Sequence, residues 1–138
     1  MKNTLIDAGP IIALFDRSDR YHQPAIEALR QEPLQLVSTW PVITEASHML
    51  DFDPRAQQGL LEWIERGGME VHPIARSEVT RLRALTQQYA DIPMDLADAS
   101  LVVVSEVLGI ERILSIDRDF YIYRRSDGRL IENVFPHS

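Results

Sequence analysis

The sequence predicts an α/β fold built on a mostly parallel central sheet. Short apolar runs bounded by Asp, Gly or Pro alternate with longer helical patterns from one end of the chain to the other. Alternation of that kind joins parallel strands through helical crossovers. The 138 residues, 45% hydrophobic and 25% charged, have the size and composition of an ordinary globular protein with one core. No repeat, low-complexity stretch or linker interrupts them, so a single domain over residues 1–138 is expected.

Thr4-Leu5-Ile6 reads as a short buried strand, with Gly9-Pro10 as a turn into a helix from Pro10 to Asp16. Gln23 to Gln31 forms a second helix, with Pro24 in its first turn and Ile26 and Leu29 facing inward. Leu34 to Val37 is the second strand. Ser38-Thr39 then offers a cap to a helix that carries Pro41 near its start and runs to Leu50. Pro54 to Arg66 is helical until Gly67-Gly68 stops it, and Met69 to Val71 is a third strand. Ser77 to Tyr89 is amphipathic, with Val79, Leu82, Leu85 and Tyr89 on one face. The helix Asp95 to Leu108 ends at Gly109. Arg112 to Ile116 is the fourth strand, and Leu130-Ile131 supplies a short fifth.

Composition excludes several classes. With no cysteine there are no disulfides, thiolate zinc sites or iron–sulfur clusters, which suits a reducing cytoplasm. The N-terminus has no long apolar segment before Pro10, so neither a secretory signal nor an anchor is expected. Nowhere does an apolar run approach the roughly 20 residues a bilayer requires. The net charge of −7 disfavours a general polyanion binder and suits a protein that gathers carboxylates around a cation. Lys2 is the only lysine; the other basic residues are arginines, whose planar fork suits phosphate or carboxylate. Codon composition explains that bias equally well.

Four acids occupy positions that folding alone would not choose. Asp7 follows the first strand and Asp117 the fourth, each at the carboxyl end where ligand-binding residues of open parallel sheets gather. Each could also simply form a turn or cap a helix. Asp98 lies in Met94-Asp95-Leu96-Ala97-Asp98-Ala99-Ser100-Leu101-Val102-Val103-Val104, a helix apolar nearly all round and hence buried. An ionised carboxylate there costs several kcal/mol unless a cation or donors compensate it. Asp95 shares its face and doubles as a candidate N-cap. Glu45 sits among apolar positions of a short helix, and His48 follows one turn later as a possible partner or an ordinary surface histidine. Oxygen ligands of this kind select Mg²⁺ or Mn²⁺, which support phosphodiester hydrolysis without a covalent nucleophile.

These stretches resemble the four motifs of PIN-domain ribonucleases. Leu5-Ile6-Asp7-Ala8-Gly9-Pro10-Ile11-Ile12-Ala13-Leu14-Phe15-Asp16 is similar to the first, Thr44-Glu45 to the second and Asp95-Leu96-Ala97-Asp98-Ala99 to the third. Leu114-Ser115-Ile116-Asp117-Arg118-Asp119-Phe120 is similar to the fourth. Their order and spacing agree from residue 5 to about 125. The resemblance implies a three-layer α/β/α sandwich with a four- to five-stranded sheet. It also implies Mg²⁺- or Mn²⁺-dependent endonucleolytic cleavage of RNA, with metal ligation by Asp7, Glu45, Asp98 and Asp117. Asp95, Ser115 and Asp119 take supporting places around them. The chain's size resembles that of VapC-type toxins of toxin–antitoxin modules, which implies a homodimer and a small inhibitory antitoxin protein. Related readings are an RNA-processing nuclease outside a toxin pair, or a PIN-like module that binds RNA or protein without cutting.

Arg118, Arg124 and Arg125 interleave with Tyr121 and Tyr123, a pattern able to hold phosphates and stack bases, or simply a solvated turn. Other phosphate chemistries fit worse. A receiver-like domain needs a late lysine, and a haloacid-dehalogenase-like phosphatase needs an acid two residues after Asp7, where Gly9 stands. No Gly-rich phosphate loop is present.

Overall fold

The computed structural model describes residues 2–31 and 33–136. Five strands, β1 (Lys2–Ile6), β2 (Leu34–Ser38), β3 (Glu70–Val71), β4 (Arg112–Leu114) and β5 (Glu132–Asn133), form one sheet in the order β3-β2-β1-β4-β5. Every neighbouring pair is parallel. The helices are α1 (Ala8–Phe15), α2 (His22–Gln31), α3 (Trp40–Met49), α4 (Pro54–Glu65), α5 (Val79–Gln88) and α6 (Leu96–Leu108).

Strand order decides where helices lie. From β1 the chain steps outward to β2 and β3, then returns across the sheet to β4 on the other side of β1. Parallel crossovers are right-handed almost without exception. The outward steps therefore put α1 to α4 on one face, and the reversed step puts α5 and α6 on the other. The reversal makes the β1–β4 boundary a topological switch point, where a crevice opens at the strands' carboxyl ends.

The core lies between these layers. Leu5, Ile6, Ile113 and Leu114 from the two central strands are buried, as are Ile11 from α1 and Val42 from α3. Residues 97–105 of α6 are buried without a break. Leu101, Val102, Val103 and Val104 each contribute about 1.5–3 kcal/mol by leaving water, enough together to hold a helix that also buries an acid.

Several elements differ from the sequence expectation, each for a local reason. Gly9-Pro10 lies inside α1 rather than before it. Pro10 is in the first turn, where a missing N–H costs no helical bond. On α2 the buried residues are Ala25 and Ala28, while Ile26 and Leu29 are half-buried; small side chains let α2 lie close against its neighbours. The amphipathic segment after Arg76 begins as a 3₁₀ turn, Arg76–Glu78, and its Val79 is exposed. β4 stops at Leu114, not Ile116. The fifth strand is Glu132–Asn133 rather than Leu130-Ile131, because Leu130 instead pairs antiparallel with Arg124 across a tight hairpin. Gly128, at φ +83°, supplies the left-handed residue that this hairpin needs. Among the described residues no helix is long and apolar enough to cross a membrane.

Candidate active site

At the switch point, six carboxylates line one cavity of 490 Å³: Asp7, Glu45, Asp95, Asp98, Asp117 and Asp119. Ile12 and Met49 close its side along α1 and α3. Three of the acids, Asp7, Asp95 and Asp117, arrive as N-caps of the elements that follow them. Asp7 extends the β1–β4 pairing by one residue, its N–H donating to Leu114 O at 3.0 Å. Its Oδ1 then caps α1 by accepting from Ala8 N at 2.8 Å. Asp95 caps α6, accepting from Asp98 N at 2.8 Å. Asp117 caps the 3₁₀ turn Arg118–Tyr121, accepting from Asp119 N at 3.0 Å. Capping and convergence are thus not rival explanations. At these three positions the cap fixes the backbone that aims the carboxylate, and a carboxylate has two oxygens to offer.

Burial divides the group. Asp7 and Asp98 are 7% and 8% exposed, whereas Glu45, Asp95 and Asp117 are open to solvent. Desolvation pushes the Asp98 carboxyl up to about 8, and the negative charges of Asp7 and Asp95 add to the effect. Asp7 rises to about 6, mainly by burial and further by Glu45 and Asp117, although Ala8 N and the Ser115 hydroxyl stabilise its ionised form. Glu45 is raised by burial and then by Asp95 and Asp117. Asp119 is raised by burial and then by Asp117. The charges acting on these acids are those of other carboxylates, so the cavity is a concentrated region of negative potential.

Among the described residues no three acidic or histidine side chains stand close enough around one point to form a complete metal cage. A magnesium-type ion does not need one, since it retains several waters and takes one or two carboxylates plus substrate oxygens. An all-oxygen donor set, a mutually repelling group of acids and an open cavity fit such an ion.

Ser115 is fully buried and lies just behind the cavity, its hydroxyl donating to Asp7 Oδ2 at 3.0 Å. His48 is exposed and lines a separate depression with Trp40 and Gln57, so it is an ordinary surface histidine. Tyr123 is also unlike its sequence expectation. It is 1% exposed, packed edge-on against Tyr89 and Phe120, and its hydroxyl donates to Asp98 Oδ2 at 3.3 Å. It therefore supports the site from inside instead of stacking a base. Arg125 is directed to Asp127 at 3.8 Å, and Arg124 Nη1 donates to Gly128 O at 2.9 Å, within the hairpin. No sequence signal distinguishes Tyr123 from the exposed Tyr121, because the segment has no regular period.

No family model matches the chain. It is 23% identical over 134 residues to Ribonuclease VapC26 of Mycobacterium tuberculosis, covering 96% of this chain and 99% of that protein. The crystal structure of M. tuberculosis VapC20, a sarcin–ricin loop cleaving toxin, matches with a TM-score of 0.76 at 17% identity. The match covers 86% of this chain and 92% of that one. The PIN-like α/β/α architecture is therefore the fold of this chain, and its likeness to VapC-type PIN-domain ribonucleases holds in sequence and in structure.

Proposed function

We propose that the chain is a single PIN-like domain acting as a Mg²⁺- or Mn²⁺-dependent endoribonuclease, the toxin of a type II toxin–antitoxin pair. The observation that carries the reading is Asp98: a buried acid beside a second buried acid, both facing a cavity of oxygen donors. Folding tolerates such an arrangement at a cost of several kcal/mol, and a bound divalent cation removes that cost. Asp7 and Asp98 would hold the ion from within, with Glu45 and Asp117 completing the set from the rim. When bound, such an ion eases deprotonation of a water and stabilises charge on phosphodiester oxygens.

The chain's own groups prepare this chemistry. Ser115 Oγ occupies one lone pair of Asp7 Oδ2, and Tyr123 Oη occupies one of Asp98 Oδ2, so each carboxylate is held in rotation. Burial keeps the Tyr123 hydroxyl protonated well above its ordinary range, leaving it a steady donor. Asp95 and Asp119 also line the cavity: the charge of Asp95 raises Glu45 and Asp98, and that of Asp119 acts on Tyr123. RNA as substrate, an antitoxin partner and a homodimer come from the likeness to VapC proteins; a cytoplasmic location accords with the cysteine-free sequence.

Cleavage of RNA by the purified chain, with and without Mn²⁺, tests the reading. D98N should lower Mn²⁺-stimulated cleavage by more than about 100-fold, beyond the range typical of residues that merely support metal ligands. Unchanged cleavage in that variant would sink the assignment. A short reading frame for a DNA-binding protein abutting this gene would support the toxin role, and a gene standing alone would favour RNA processing.

A further inference from the structure

The C-terminal strand reaches the acid centre through one side chain. The β4–β5 pairing closes with Val134 N donating to Ile113 O at 2.8 Å, and β4 itself ends at Leu114. At Ser115, the next residue, the Asn133 carboxamide takes the place of a strand. Ser115 N donates to Asn133 Oδ1 at 3.2 Å, and Asn133 Nδ2 donates to Ser115 O at 2.9 Å. A primary amide presents the same donor and acceptor as a peptide group, so it satisfies both backbone groups of one residue at once. Phe135 N also donates to Oδ1, at 3.1 Å. Two N–H groups on one atom and a carbonyl on the other leave a single orientation for the carboxamide.

Ser115 is thereby clamped from its outer side. Its hydroxyl points inward, with Asp7 Oδ2 at 3.0 Å and Asp117 O at 3.2 Å as acceptors. The path from Asn133 to a buried acid of the cavity is two side chains long. Asn133 itself is outside the cavity lining, so its effect passes through Ser115.

We propose that Asn133 is a positioning residue of the acid centre: by clamping both backbone groups of Ser115 it aims the Ser115 hydroxyl at Asp7 and presets that carboxylate for a divalent cation. The proposal rests on the metal-dependent reading above. It differs from a plain edge-strand role, which would affect stability alone. It also accounts for an Asn on a two-residue strand, a residue type that strands otherwise disfavour.

Mn²⁺ affinity measured by titration calorimetry on wild type, N133A, S115A and the double variant tests it. Each single change should weaken binding about 10-fold, in the range of residues that orient metal ligands. Because both act along one path, the double variant should bind no worse than the weaker single. Amide exchange of the metal-free proteins gives a second readout: Ser115 N–H should lose protection in N133A, while Leu5 and Val102 keep theirs. Unchanged Mn²⁺ affinity in N133A, or effects that multiply in the double variant, would overturn the proposal. Should N133A fail to fold, N133D keeps the volume, removes the Nδ2 donor and should show the same loss. If wild type binds no Mn²⁺, the metal reading and the presetting role fall together. Exchange at Ser115 then reports whether the clamp itself exists.

Discussion

Two carboxylates on α6, Asp98 and Glu106, lie about 12 Å apart along the helix axis and meet opposite fates. Glu106 receives Arg81 as a fork, Nε to Oε1 and Nη2 to Oε2, both at 2.9 Å, and Ser126 N at 2.5 Å. Burial opposes its ionised form, yet these partners hold its pKa below the ordinary glutamate value. Asp98 is buried among other acids, with a tyrosine hydroxyl and, among the described residues, no arginine fork, and its pKa rises to about 8. One acid is matched within the fold. The other faces acids instead of a cation among the described residues, which distinguishes a structural carboxylate from a candidate site better than burial does.

Exchanging the two losses would sharpen the contrast most. E106Q should destabilise the protein by about 1–2 kcal/mol, as expected for a partly buried charge-assisted pair, while kcat/KM on RNA stays unchanged. D98N should do the reverse, removing cleavage while metal-free thermal stability is kept or raised. Thermal melts and RNA cleavage on the same two samples decide this. Loss of both properties in either variant would break the distinction.

Acidity offers the next test, because the two acids carry opposite signs. An acid whose pKa rises on folding binds protons more tightly when folded, so stability falls as pH climbs from its unfolded value. For Asp7 and Asp98 that window runs from 3.8 up through about 6 and about 8. Metal-free Tm should therefore decline between about pH 5 and pH 9, and D98N should flatten the upper part of that decline. Saturating Mn²⁺ should oppose it. Glu106, with its lowered pKa, contributes stability above its ordinary 4.5 and loses it as pH falls through its folded value. A Tm that rises with pH in the metal-free protein would contradict the uncompensated state of the cavity acids.

The smallest effect belongs to a pair that resembles Arg81–Glu106 only on paper. Arg55 Nε lies 3.5 Å from Asp53 Oδ1, but the arginine side chain is 94% exposed. R55A should shift stability by no more than about 0.5 kcal/mol, measurable by chemical denaturation. A larger loss would mean that exposure is a poor guide to which ion pairs matter here.

The placement of several cavity acids is legible in the sequence. The apolar circumference around Asp98 foretold its burial, and strand ends foretold the placement of Asp7 and Asp117. Asp95 is the N-cap its position suggests, and it also lines the cavity. Glu45 was the least legible from residue physics, since a mid-helix acid is usually solvated, and it is indeed exposed at the cavity rim. Tyr123 and Asn133 had no local signal. The first sits in an aperiodic turn, and the second on a strand two residues long.

By itself the sequence determined the alternation of elements, the burial of α6 and the acids at the carboxyl ends of strands, because periodicity and turn chemistry act over a few residues. Only the tertiary structure decided that β4 lies beside β1, which brings Ser115 within 3.0 Å of an acid 108 positions away. Strand neighbours are chosen by crossover handedness and shared core rather than by local pattern. The same long-range pairing brings β5 alongside β4, where the Asn133 carboxamide meets Ser115 just behind the cavity acids.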